Sequence, residues 1–261
     1  MSGSKRRALG QHFLRDTGIA RQIVGLLAPS ARDLVVEIGP GEGALTDELA
    51  RRSGRLIALE VDTDLLERLR RRLPNVEALE ADARTWDYAT LVRPAGGRVL
   101  VVGNLPYSVS KPIVAALLDA RAVIDAMALM LQREVAERLA APPGGKVYGA
   151  LSVLTQAVCD VELALRVPPG AFRPPPQVES AVVRLTPRAM PRVPPALEAR
   201  FRDVVKAAFS SRRKTLANAL GGGLGIPLGH AREVATTAGV DPGRRAETLT
   251  IEEFVELTAR L

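Results

Sequence analysis

The sequence predicts an α/β fold: a mainly parallel, twisted sheet with helices on both faces, followed by a small C-terminal helical domain. Three observations carry this. Short apolar runs alternate with amphipathic segments through the first two thirds of the chain, the first run ends in a glycine-rich turn, and a proline-rich stretch near residue 190 separates that pattern from a helical remainder.

Taken in order, "LVVEI" (34–38), "RLIALE" (55–60), "VEALE" (76–80), "RVLVV" (98–102) and "AMALMLQ" (126–132) read as strands. Between the first two lies "GALTDELARRS", with Leu45 and Leu49 four residues apart. Between the second and third lies "DTDLLERLRRRL", with Leu65, Leu66, Leu69 and Leu73 on one helical face. Farther on, "ALSVLTQAV" reads as a helix, and "DVELALRV" and "VESAVVRL" read as strands. "TPRAMPRVPP" (186–195) holds four prolines and no apolar period, the mark of a linker. "ALEARFRDVVKAAF", "RRKTLANAL", "LGHAREVATTAG" and "TIEEFVELTARL" then read as helices. The expected domains are therefore 1–188 and 189–261.

Composition narrows the function. Hydrophobic residues make up 47% of the 261, enough for a substantial core. No apolar run approaches the ~20 residues of a membrane span. The start, "MSGSKRRALGQHFL", is basic but lacks an apolar stretch of roughly 7–15 residues, so no secretory signal is read and a cytoplasmic protein is expected. Cys159 is the only cysteine and His12 and His230 the only histidines, which excludes an intrachain disulfide and makes no case for a metal site. Lys and Arg number 36 against 29 Asp and Glu, a net charge of +7. That excess favours a polyanionic partner, nucleic acid first, and its arginine bias suits bidentate phosphate contacts.

"EIGPGEGALT" (37–46) joins the first strand to its helix, and its glycines allow close backbone approach to a ligand at a helix N-terminus. Gly39, Gly41 and Ala44 fit the dinucleotide pattern G-x-G-x-x-A. Glu60, at the end of the second strand, is placed to accept hydrogen bonds from a ribose diol. Two details favour S-adenosyl-L-methionine over NAD. Glu37 extends the motif to E-x-G-x-G-x-G, and Asp82 in "EADA" follows the third strand, where it can accept from an adenine amine or cap a helix. Three carboxylates near one cleft suit a cationic sulfonium better than a pyrophosphate.

"VVGNLPYSVSKP" (101–112) begins as a buried strand and then places Asn104, Leu105, Pro106 and Tyr107 where it stops. With "QHFL" (11–14), "VEIGPGEGALT", "LEVD", "EADA", "LMLQREVAERL", "FRPPPQVESAVVRL" and "SSRRKTLANAL", it falls in the order of the ribosomal RNA adenine N6,N6-dimethyltransferases, which the chain resembles from about residue 6 onward. Within that family it is most similar to the bacterial enzymes that dimethylate two adjacent adenosines in the 3′-terminal hairpin of 16S rRNA. The large-subunit methylases typically have Ile where this chain has Leu105.

The resemblance implies a Rossmann-like class I methyltransferase fold, S-adenosyl-L-methionine as cofactor, 16S rRNA in the small ribosomal subunit as partner, and a monomer without metal or membrane attachment. Asn104 Oδ1 and the Pro106 carbonyl would accept from the two N6 hydrogens, holding the amine on the methyl–sulfur axis without a strong base. Tyr107 would stack a flipped adenine and Phe172 would form a second wall, unless Phe172 packs beneath its own proline run. His12 and Leu14 would contact the cofactor beside Gly39, Gly41, Glu60, Asp82 and Asn104. The commonest family form has Asn at the position of His12. Lys5, Arg6, Arg7, Lys111, Arg212, Arg213 and Lys214 are the candidate RNA contacts, the last three at a predicted helix start. Competing readings are a large-subunit adenine methylase, an assembly factor whose binding outweighs its catalysis, and an NAD oxidoreductase. The last leaves Asn104–Tyr107 unexplained.

Overall fold

The structure, a computed structural model, describes residues 12–261. In chain order the elements are β1 (Phe13–Leu14), α1 (Thr17–Leu27), β2 (Leu34–Ile38), α2 (Thr46–Leu49), β3 (Arg55–Glu60), α3 (Thr63–Arg72), β4 (Glu77–Glu80), β5 (Val99–Asn104), α4 (Ser110–Asp119), β6 (Ala126–Gln132), α5 (Arg133–Ala140), α6 (Ala150–Gln156), β7 (Cys159–Val167), β8 (Phe172–Arg173), β9 (Ser180–Pro187), α7 (Glu198–Ala208), α8 (Leu216–Leu224), α9 (Leu228–Thr237) and α10 (Ile251–Arg260). Each expected strand is present. The expected helix after β2 contracts to one turn, because Gly43 takes a positive φ before it and Ser53 donates through both its amide and its hydroxyl to the Leu49 carbonyl after it.

Seven strands form one sheet in the order β4-β3-β2-β5-β6-β9-β7. β2, β3, β4, β5 and β6 pair in parallel, and β9 lies antiparallel to β6. β2 is buried along its whole length, the signature of a parallel strand covered on both faces. The registers matter for function. Ile38 faces Leu59 on one side and Gly103 on the other, Glu60 faces Glu80, and Asn104 faces Met130. Four motifs distant in sequence therefore end on one edge of the sheet, where ligands of open α/β sheets bind.

A two-stranded ribbon joins β1 to β8, with Phe13 opposite Arg173 and Leu14 opposite Phe172. The Arg15 amide donates to the Ala171 carbonyl at 2.8 Å and extends this attachment. Asp16 then caps α1 by accepting from the Ile19 amide at 2.9 Å.

The chain divides into two compact units. One runs to Ala136 and resumes over Glu162–Pro187; the other comprises Glu137–Val161 and Arg188–Leu261. The second crossing falls between Pro187 and Arg188, one residue before the expected boundary, and residues 137–161 group with the helical unit rather than with the sheet. Specific bonds explain this. Gln156 donates to the carbonyls of Leu139 and Ala141, the Arg188 amide donates to Val158, and Arg188 pairs with Asp160 at 2.5 Å. Within this unit Phe209 lies between Tyr148 and Phe254, with ring centroids 6.1 and 5.8 Å away. Thr250 and Glu253 form a capping box at the start of α10. No helix of the described residues is long and apolar enough to cross a membrane.

Candidate active site

Residues 39–45 turn the chain from β2 into α2. Gly41 sits at φ +56, and a Cβ built there would lie 2.7 Å from Phe13 Cδ1, so glycine is needed for both conformation and space. Glu60, buried at the end of β3, fastens this turn: its carboxylate accepts from the amides of Gly41 (3.3 Å), Val61 (2.9 Å) and Asp62 (3.0 Å). Burial raises its pKa, and those three amides oppose the rise. Asp62 goes on to cap α3 through the amides of Asp64 and Leu65.

Glu37 is 1% exposed. Burial, with Glu60 and Asp47 nearby, pushes its carboxyl up to about 8. Its Oε2 has no hydrogen-bond partner among the described residues; Thr46 is near enough to favour the charged form but lacks hydrogen-bond geometry, its own hydroxyl being unpartnered too. Asp82 is different. Arg84 grips its carboxylate through Nε (3.0 and 2.9 Å) and Nη2 (2.5 Å), and that pairing holds its pKa below the usual range.

At the end of β5 the Leu105 amide donates to the Met130 carbonyl, and Leu105 itself is buried. Asn104 Nδ2 donates to the His12 carbonyl at 2.8 Å. A carbonyl can only accept, so this bond fixes which way the amide faces. Asn104 Oδ1 is thereby left as the acceptor, with no donor among the described residues. The Pro106 carbonyl accepts the Val109 amide at 3.1 Å and keeps its second lone pair. Tyr107 OH meets Ser180 Oγ at 2.7 Å, which fixes the ring, and burial keeps the phenol protonated above its ordinary range.

His12, Leu14, Gly39, Gly41, Glu60, Asp82, Asn104, Leu105, Pro106 and Tyr107 all line one cavity, and Glu37 joins them. A family model described as Ribosomal RNA adenine dimethylase matches residues 3–261. The chain belongs to this family. Ribosomal RNA small subunit methyltransferase A of Geobacter sulfurreducens (strain ATCC 51573 / DSM 12127 / PCA) is 46% identical, over 98% of this chain and 95% of that protein. Its namesake in Nitrosococcus oceani (strain ATCC 19707 / BCRC 17464 / JCM 30415 / NCIMB 11848 / C-107) is 45% identical, over 97% and 94%. Among solved structures, the 23S rRNA methyltransferase ErmE is 29% identical with a TM-score of 0.71, covering 95% of this chain and 99% of its own. A dimethyladenosine transferase from Plasmodium falciparum is 25% identical with a TM-score of 0.80, covering 94% and 96%.

Against this dimethylase frame, two expectations need correction. Phe172 is not among the residues lining this cavity: it is 4% exposed and packs in the core opposite Leu14, which does line it. Its neighbour in sequence, the proline run, is equally compatible with either role. Arg212, Arg213 and Lys214 do not start a helix; they form the turn before α8, which begins at Leu216. The first amides of α8 are not available to a phosphate there, since Leu216 and Ala217 donate to the carbonyls of Arg244 and Pro242. The three side chains remain exposed, with Arg212 donating to the Lys146 carbonyl. Lys111 is exposed in the first turn of α4, and Lys5, Arg6 and Arg7 lie outside the described residues.

Sequence reasoning also missed lining residues. Val61 is 51% exposed beside Glu60 and lines the cavity. Its signal was a branched apolar side chain between two carboxylates at a strand end. Arg84 and Glu42, the latter paired with Arg15 at 2.9 Å, carried no such signal, being ordinary surface charges in sequence. Among the described residues no group of three or more His, Cys, Asp or Glu could hold a metal ion.

Proposed function

We propose that this chain dimethylates the N6 amines of two adjacent adenosines in the 3′-terminal hairpin of small-subunit (16S) ribosomal RNA, in the cytoplasm during subunit biogenesis, with S-adenosylmethionine as donor. The observation that carries this reading is the Asn104 amide. Its nitrogen is committed to the His12 carbonyl, so it faces substrate as an acceptor, and an adenine N6 amine is a donor with two hydrogens. Asn104 Oδ1 and the free lone pair of the Pro106 carbonyl would accept them and hold the nitrogen in line for transfer.

The residues present fit the cofactor. Glu37 and Glu60 are buried carboxylates on a cavity that a cation would enter, and the unpartnered Glu37 Oε2 would be drawn back toward its charged form by that cation. Glu60 would hold a ribose diol with lone pairs left over from its three amide bonds, Asp82 an adenine amine shared with Arg84, and Val61 would cover the adenine face. S-adenosylmethionine supplies an electrophilic methyl on a positively charged sulfur. The chain's own task is therefore orientation rather than base catalysis. Tyr107, kept neutral and tethered by Ser180, offers a ring face on which a flipped base stacks, worth roughly 1–3 kcal/mol. After the first transfer one N6 hydrogen remains, so one of the two acceptors must be dispensable in the second.

Gly41→Ala tests the cofactor assignment. Its positive φ and the contact with Phe13 predict a loss of about tenfold or more in S-adenosylmethionine affinity, roughly 1.4 kcal/mol, read by titration calorimetry. An unchanged Kd would remove the turn from the binding site. Substrate choice is tested by labelled methyl transfer to unmethylated small and large subunits, followed by nucleoside analysis. Dimethyladenosine is expected in small-subunit RNA. Label confined to large-subunit RNA would favour the runner-up reading, which the likeness to ErmE keeps open.

A further inference from the structure

We infer that His12 is a positioning residue for Asn104, acting through its imidazole rather than through the cofactor; this rests on the dimethylase reading above. Three contacts converge on it. Its carbonyl accepts from Asn104 Nδ2 at 2.8 Å, its Nδ1 meets the Pro174 carbonyl at 2.8 Å, and its ring lies 5.6 Å from the Tyr107 ring at a tilt of 34°.

The ribbon explains why a side chain is needed. β1 and β8 run antiparallel with Phe13 opposite Arg173, so residue 12 falls beside residue 174. Pro174 has no N–H, and the ladder cannot be continued by a backbone donation from that position. His12 Nδ1 supplies the link instead, from side chain to carbonyl. Since Pro174 O only accepts, Nδ1 carries the proton and neutral His12 is the Nδ1–H tautomer.

The consequence reaches the catalytic amide. The His12 carbonyl is useful to Asn104 only if residue 12 stays where it is, and the described chain attaches that residue by Phe13 on one side and Pro174 on the other. Cut the Pro174 link and Asn104 Nδ2 loses a fixed partner. The amide is then free to rotate and can present its nitrogen, a donor, to an N6 amine that is also a donor. Transfer should suffer more than cofactor binding. The phenol of Tyr107, held separately by Ser180, stays in place.

Two variants separate the donor from the ring. His12→Phe keeps a ring against Tyr107 and removes the donor; His12→Asn removes the ring and keeps an N–H on the atom attached to Cγ, where Nδ1 sits. Single-turnover methylation is expected to fall about tenfold in His12→Phe and to recover to within about threefold of wild type in His12→Asn, with the S-adenosylmethionine Kd of both within about threefold. Wild-type transfer by His12→Phe, an equal loss in His12→Asn, or a Kd that weakens in step with the rate would each overturn the inference. Should His12→Phe melt early, nitrogen NMR of the wild-type imidazole decides: an Nε2–H tautomer overturns it, an Nδ1–H tautomer sustains it. A wild-type protein that methylates no ribosomal RNA would instead defeat the functional reading, whatever the tautomer.

Discussion

Replacing Asn104 with alanine is expected to cut methyl transfer by roughly 10²–10³-fold while leaving S-adenosylmethionine affinity within about threefold of wild type. The size follows from what the side chain does. An adenine N6 lone pair is delocalised into the ring, so attack requires an acceptor that draws on the N6 hydrogens as the nitrogen pyramidalises. Asn104 offers that acceptor in a fixed orientation, since Nδ2 is already bonded to the His12 carbonyl. Asn104→Asp is the sharper control. It keeps the one acceptor oxygen but puts a second where the donor nitrogen was, against the His12 carbonyl, so residue 12 is repelled where it was held, and transfer should remain at least about tenfold down. Single-turnover rates on unmethylated small subunits, beside calorimetric titration of the cofactor, read both quantities. A normal rate in Asn104→Ala would mean that the amine is oriented by something other than this amide.

The sheet was legible in the sequence because a parallel strand covered on both faces needs a continuous apolar run, and 34–38, 55–60, 98–102 and 126–132 each supply one. The site was legible for a related reason: its motifs lie directly after those runs, and parallel registers bring strand ends to one edge. What escaped was set by long-range pairing. Leu14 and Phe172 are joined by a ribbon closing over more than 150 residues, and no local pattern announces it. An aromatic before three prolines therefore read as a base platform, and nothing local announced that it packs in the core opposite Leu14. The same holds for residues 137–161, whose bonds to 188–192 decide which unit they join. The basic turn at 212–214 looked like a helix start because Thr215 and Leu216 follow it. The acceptors that occupy the first amides of α8 come from Pro242–Arg244, invisible from that stretch.

Removing the carboxylate of Asp33 is expected to cost roughly 3 kcal/mol of stability at neutral pH. Asp33 is 2% exposed and sits immediately before β2. Its oxygens accept from the Ser30 amide (2.9 Å) and hydroxyl (3.1 Å), and from the Arg98 amide (2.8 Å), Nε (3.4 Å) and Nη2 (2.8 Å). Alanine would strand those donors, although the Arg98 side chain, 43% exposed, can recover water, which keeps the cost below that of a fully buried pair. The pH dependence distinguishes this from simple loss of packing. Burial alone would raise the Asp33 pKa, but the bonds from Arg98 and Ser30 hold it at about 2, below the ordinary 3.8. A depressed folded-state pKa gives stabilisation that is complete above pH ~4 and lost as pH falls through ~2. The stability gap between wild type and Asp33→Ala should therefore be full at pH 7 and shrink between pH ~4 and ~2, while Asp33→Asn, with one acceptor and no charge, should fall between them without that slope. Urea midpoints across this range make the comparison, and a gap as wide at pH 2 as at pH 7 would show that the charge is not what Asp33 contributes. Because Asp33 binds Arg98 where β2 and β5 begin, it fixes the register that sets Ile38 beside Gly103 at the far end. None of its hydrogen-bond partners lines the cavity, so transfer per folded molecule should be retained while the fold itself becomes easier to lose.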